Sequence, residues 1–148
     1  MIVKNNIAEL ENIALTLENF FETNNLSPTM LFEVNLAIEE VFTNIVFYAF
    51  PDKIEQQIKI DLQKNEKTLF IKIEDAGVPF NPLLTSEPTF DKPLSERQIG
   101  GLGIHLIRKM MDKVEYSRTG QKNMLTLHKN LPQTISKEDP RIQKDYLS

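Results

Sequence analysis

Apolar residues recur at helical spacing from about Asn6 to Asn24, at Ile7, Leu10, Ala14, Leu17 and Phe21, which predicts a first helix with one buried face. Asn6 followed by Glu9 resembles a capping box at its start, and Asn24-Asn25 ends the run. Ser27-Pro28 begins a second helix, with serine at the N-cap and proline at the first helical position. That run continues to roughly Tyr48 and stops before Pro51-Asp52. It is apolar on most of its surface, so it predicts a deeply buried helix. The period then changes from that of a helix to that of a strand. Ile58, Ile60 and Leu62 alternate with polar residues, as do Leu69, Ile71 and Ile73, and Lys64-Asn65-Glu66-Lys67 supplies a hairpin turn. The second strand ends at Glu74-Asp75. From Gly77 to Arg97 the pattern breaks, with Pro79, Pro82, Pro88 and Pro93 and no sustained periodicity. A stretch of that length reads as a functional lid or as disorder. Helical spacing returns after Gly101, with Ile104, Ile107 and Met111 on one face. Val114 to Arg118 and Met124 to Lys129 read as two more strands joined at Gly120.

The order helix, helix, strand, strand, long loop, helix, strand, strand predicts an α+β fold. The expected architecture is a two-layer sandwich, with helices on one face of a mixed, mostly antiparallel sheet. Residues 1–131 form the expected domain, and the polar stretch 132–148, with Pro132 and Pro140, reads as a loosely attached tail. The length of 148 residues suits one domain with a real core. A net charge of −4 gives no basic footprint, so nucleic acid is not an expected partner. The absence of cysteine excludes disulfides and thiolate metal sites. The only histidines, His105 and His128, read as surface residues and argue against a histidine-based zinc cluster. The N-terminus lacks a signal-peptide apolar region, and no apolar run is long enough to span a bilayer. The expectation is a soluble cytoplasmic protein without membrane association, too small to carry its own sensor domain.

Three short stretches carry candidate chemistry. Glu40 and Asn44 lie four apart on the second helix and so share a face. One reading gives Asn44 a divalent metal through its amide oxygen and makes Glu40 a general base one turn away. The plainer reading puts Glu39 and Glu40 at the solvent edge and lets Asn44 bond a neighbouring backbone. Asp75 ends a strand, and Gly77 follows two residues later, before Val78, Pro79 and Phe80. A carboxylate there accepts from the exocyclic amine of adenine, glycine admits a flat base, and the apolar residues form a wall. A plain strand exit uses the same residues. Gly100-Gly101-Leu102-Gly103 opens a helix and holds three of the five glycines in the chain. Backbone N–H groups at a helix N-terminus suit phosphate, though a flexible hinge has the same composition. Arg97 just upstream is either a terminal-phosphate ligand or a solvated loop residue.

Taken in order, Glu40…Asn44, Asp75-x-Gly77-x-Pro79-Phe80 and Gly100-Gly101-Leu102-Gly103-Ile104 resemble the N, G1 and G2 boxes of the GHKL ATPase superfamily. That superfamily includes gyrase, Hsp-type chaperones, MutL and the histidine kinases. The run from Gly101 to Asp112 is most similar to the bacterial anti-sigma-factor serine/threonine kinases. The resemblance covers nearly the whole chain up to Leu131. It implies the superfamily's ATP-binding α/β sandwich, with ATP and Mg2+ as cofactors. It implies a kinase that phosphorylates a STAS-type anti-anti-sigma protein, with a sigma factor and a second copy of the chain as further partners. Asn44 would then ligate magnesium and Glu40 would be the catalytic base. Asp75 would read adenine beside Gly77, Pro79 and Phe80. Arg97, Gly100, Gly101, Leu102, Gly103 and Ile104 would close the phosphate end. Two positions depart from the pattern. Tyr48 stands where the branch often has histidine, and Asn123 stands where many members place a threonine near the adenine-binding aspartate. Two other readings remain: a catalytically silent, nucleotide-gated partner-binding module, and a detached histidine-kinase catalytic domain.

Overall fold

Among the described residues, three helices lie on one face of a five-stranded sheet. A computed structural model describes residues 1–81 and 101–133; the expected lid beyond Asn81, with Arg97 and Gly100, and the tail from residue 134 lie outside these. The elements run β1 (Ile2–Lys4), α1 (Leu10–Thr23), α2 (Pro28–Asn44), β2 (Gln57–Lys64), β3 (Thr68–Asp75), α3 (Gly101–Met110), β4 (Lys113–Thr119) and β5 (Lys122–Asn130). The sheet order is β1-β2-β3-β5-β4, and every pairing among the described residues is antiparallel. No helix of the described residues is long and apolar enough to cross a membrane.

The predicted alternation is the inner face of the sheet. Ile58, Ile60, Leu69, Ile71, Ile73, Leu125 and Leu127 are buried, and the register sets them opposite one another, as in Ile60↔Ile73↔Leu125 and Ile71↔Leu127. Against them pack Ile13, Leu17 and Phe21 of α1, Val34, Ala37, Ile38, Val41 and Phe42 of α2, and Ile104 and Ile107 of α3. Burial of each such large side chain stabilises the fold by about 1.5–3 kcal/mol. Side chains alternate faces along a strand. The same alternation therefore carries Asp75, the last residue of β3, to the inner face, and Asn123 opposite it on β5.

Local signals act largely as read. Ser27 caps α2, its Oγ accepting from Met30 N at 3.2 Å. Asn65 turns the β2–β3 hairpin by accepting from Lys67 N and Thr68 N, both at 2.8 Å. Gly120 takes φ +62° in the β4–β5 turn, a conformation that favours glycine. Other details differ from expectation. Residues 2–4 form an edge strand, too short to show a period. Asn6 accepts from Ala8 N at 2.9 Å, but its own N–H goes to Lys4 O, so Glu9 does not close a capping box. Instead a 3-10 turn, Ile7–Glu9, leads into α1. The second helix changes to a π turn over Ile45–Ala49. His105 and His128 are half-buried rather than exposed, and the His128 ring meets Phe70 edge-on at 5.0 Å.

Candidate functional site

One small cavity, about 20 Å³, is lined by residues from all three stretches and from β4 and β5. Asn44, Asp75, Phe80, Ile104, Tyr116 and Asn123 are among its walls. Its volume admits about one water molecule, so a larger ligand enters only if the walls part.

Glu40 and Asn44 stand one turn apart at the end of α2, and Asn44 lines the cavity. Gly103 lies against both: a Cβ built on it would sit 2.6 Å from Glu40 Oε2 and 3.6 Å from Asn44 Nδ2. The first turn of α3 thus meets the last turns of α2 backbone to side chain. Asn44 is 7% exposed, yet its amide has no hydrogen-bond partner among the described residues. The alternative in which it bonds a neighbouring backbone is therefore not what the structure holds. The amide is not sealed from solvent, so it stays free to take a ligand. Glu40 is half-buried and likewise has no ion-pair partner among the described residues. Burial, and then the charge of neighbouring Glu39, hold its carboxyl above the usual glutamate range. A carboxylate so placed is a better proton acceptor near neutral pH than an ordinary one.

Asp75 also lines the cavity and is 5% exposed. Its Oδ1 accepts from Gly77 N at 2.9 Å and from Asn123 Nδ2 at 3.0 Å. Burial pushes this carboxyl above the usual aspartate range, with the Asn123 and Gly77 hydrogen bonds and the Arg118 charge opposing that shift and Glu74 adding to it. The turn that follows is clamped to the end of α2, because Val78 N donates to Ala49 O at 2.9 Å. The π turn brings that carbonyl there, and turns of this kind concentrate at functional sites. Tyr48 on the same turn stacks with Phe80, centroids 6.3 Å apart and planes 29° from parallel. Pro79 is exposed beside it. Gly101 and Leu102 begin α3.

Sequence reasoning missed Tyr116 and Arg118. Arg118 Nη1 donates to Gly77 O and to Asn123 Oδ1, both at 2.9 Å, and Tyr116 OH donates to Asn123 Oδ1 at 2.5 Å. The signal was present: Val114, Tyr116 and Arg118 alternate on β4, and the Gly120 turn pairs Arg118 with Asn123. Ile58, Asp75, Asn123 and Arg118 form one transverse row across four strands.

The two glycines at the site predict opposite outcomes. A Cβ on Gly77 would fall 2.5 Å from the Ala49 carbonyl oxygen and 2.6 Å from Ala49 Cβ, so backbone must move. Gly77→Ala is expected to destabilise the protein by about 1–3 kcal/mol. At Gly103 the clash is with the far end of the Glu40 side chain, which swings aside, while alanine favours the helix by about 0.5–1 kcal/mol. Gly103→Ala is expected to match or exceed wild-type stability with Glu40 displaced. Urea unfolding of both variants checks the pair; equal losses would contradict this geometry.

Residues 3–129 match the histidine kinase-like ATPase domain. The serine/threonine-protein kinase BtrW of Bordetella bronchiseptica is 29% identical over 111 residues, 75% of this chain and 78% of that protein. The anti-sigma F factor of Clostridium novyi is 28% identical over 103 residues, 64% of this chain and 67% of its own length. The serine-protein kinase RsbW of Bacillus mycoides is 33% identical over 87 residues, so the chain spans 54% of that relative. The histidine kinase domain of a blue-light-activated kinase from Erythrobacter litoralis EL346 shares the fold. Its TM-score is 0.53, at 16% identity over 84% of this chain and 60% of that one.

Proposed function

The chain belongs to the histidine kinase-like ATPase domain family, and from that premise we propose that it is an ATP-dependent serine/threonine protein kinase and anti-sigma factor. Its substrate is a serine or threonine of a STAS-type anti-anti-sigma protein, and a sigma factor is its second partner. The observation that carries the reading is a single cavity lined both by a donor-ringed carboxylate, Asp75, and by the Asn44 amide, which has no hydrogen-bond partner among the described residues. The names of the relatives, serine kinases and an anti-sigma factor, support the class of activity.

The donor set fits Mg-ATP. Asp75 accepts from the exocyclic amine of adenine, and Gly77 keeps the turn close enough for a base to lie along it. Phe80 and Ile104 wall the ring, and Pro79 borders its entrance. The Asn44 amide oxygen would hold magnesium, which needs few protein ligands. Gly101, Leu102 and Gly103 would offer α3 backbone N–H groups to phosphate. Bound Mg-ATP supplies the electrophilic phosphoryl group, and the chain contributes positioning and charge. Glu40 takes the proton of the attacking hydroxyl at a carboxylate oxygen beside Gly103. All these residues belong to the proposed 1–131 domain.

The test is transfer from γ-labelled ATP, with magnesium, to a purified STAS-fold protein bearing a serine or threonine acceptor. Label on that acceptor is expected, and chelation of magnesium abolishes it. Nucleotide binding without transfer to any such acceptor would reduce the chain to a silent, nucleotide-gated binder.

A further inference from the structure

The Asn123 amide is fully engaged. Its Nδ2 donates to Asp75 Oδ1 at 3.0 Å and to Val78 O at 2.9 Å, and its Oδ1 accepts from Tyr116 OH and Arg118 Nη1. The amide cannot turn over. Turned, its NH2 group would face the Arg118 guanidinium and its oxygen would face the Asp75 carboxylate. Arg118 is itself held by the Gly77 carbonyl at 2.9 Å. The consequence falls on Asp75: two N–H donors, from Gly77 and Asn123, fill its Oδ1. Among the described residues only Oδ2 keeps acceptor capacity.

We propose that Asn123, locked by Arg118 and Tyr116, sets the choice of base by making Asp75 a one-oxygen acceptor. This rests on the ATP reading above and deepens it. A one-oxygen acceptor matches a single exocyclic amine, as on adenine. Guanine meets two obstacles. In the orientation of adenine, its 6-oxo group faces the carboxylate oxygen. Rotated, it presents N1–H and the 2-amino group side by side, a pair that needs both carboxylate oxygens. The second donor then meets an oxygen already filled, and the N–H groups that fill it. The first obstacle belongs to Asp75. The second belongs to Asn123 and to the two β4 side chains that fix its amide.

Binding of Mg-ATP and Mg-GTP to the full chain, by calorimetry, tests this on the wild type and on Asn123→Ala, Arg118→Ala and Arg118→Lys. The wild type is expected to prefer ATP by at least about 10²-fold. Asn123→Ala is expected to narrow that preference by about tenfold to hundredfold, the worth of a hydrogen bond to a charged group, with GTP affinity rising in absolute terms. Arg118→Ala, which retains the asparagine but unlocks it, is expected to shift the ratio the same way by less. Arg118→Lys keeps a donor at that position and is expected to restore most of the preference. Parallel loss of both nucleotides in Asn123→Ala and Arg118→Ala, with the ratio unchanged, would show a structural brace and overturn the inference while the ATP reading stands. A folded wild type that binds neither nucleotide would overturn both.

Discussion

Asp75→Asn is expected to lose Mg-ATP affinity by at least about 10²-fold while melting no lower than the wild type at pH 7. The first half follows from pairing. The amide presents an N–H group where the adenine amine needs an acceptor, and a site built for one hydrogen-bond pattern rejects the mismatch heavily. The second half follows from burial. Asn Oδ1 still accepts from Gly77 N and Asn123 Nδ2, the two bonds seen in the structure. The buried charge is what disappears. The groups acting on it are Arg118 from β4, which favours the ionised form, and Glu74 on its own strand, which opposes it and pairs with Lys122 at 2.9 Å. The net direction is upward, dominated by loss of solvent. A carboxyl raised in the folded state contributes stability that is fully present only below its unfolded value, near pH 3.9. That contribution is lost as pH rises through the folded value. At pH 7 the ionised Asp75 therefore destabilises the protein, and asparagine relieves it. Melting curves of both proteins from pH 4 to 8 check the sign: the variant's advantage should shrink toward pH 4. A variant melting well below the wild type at pH 7 would show that the carboxylate serves the fold, not a ligand.

The sequence made the two ends of the site legible because each is local. Asp75 and Gly77 are two residues apart, Glu40 and Asn44 one helical turn apart, and neither relation depends on how the chain closes. Hydrophobic alternation likewise fixed the inner face of β2, β3 and β5, because a one-residue slip would turn every apolar side chain outward. Arg118 and Tyr116 are different. Each reads as an ordinary strand residue until β4 pairs with β5, and only that register brings a guanidinium to the Gly77 carbonyl. Asn123 was legible as a departure from the family's threonine. Its four-bond saturation was not, since that needs partners from β3, β4 and the Val78 turn. The π turn at Ile45–Ala49 was hidden because an apolar run shows no difference between 3.6 and wider turns. The contact that goes with it is long-range, Ala49 O with Val78 N, and local periodicity does not show it. β1 has three residues, and its pairing with β2, not its composition, defines it.

Glu40→Gln is expected to bind Mg-ATP nearly as well as the wild type while transfer to the protein substrate falls by roughly 10²–10⁴-fold. Glu40 lies beside Gly103, one turn before Asn44, and is not among the residues that line the cavity with Asp75. On the proposed reading it serves the phosphate contacts offered by the first turn of α3 and makes no contact with the adenine-reading carboxylate. Its carboxyl has no ion-pair partner among the described residues, and burial with the Glu39 charge raises it. Those features favour proton capture and add little to ground-state affinity; an interaction made only in the transition state changes turnover, not binding. Glutamine keeps the shape, cannot take the proton, and relieves the repulsion with Glu39, so no loss of stability accompanies the loss of rate. Asn44→Asp should behave otherwise, because it places a new charge at the metal position and alters nucleotide binding itself. Single-turnover transfer measured beside calorimetric affinity separates the two variants. Transfer by Glu40→Gln at the wild-type rate would remove Glu40 from the chemistry and leave exposed Glu39 as the next base to examine. The same rate in Gly103→Ala would carry the same message by an independent route, since there the carboxylate is displaced rather than replaced.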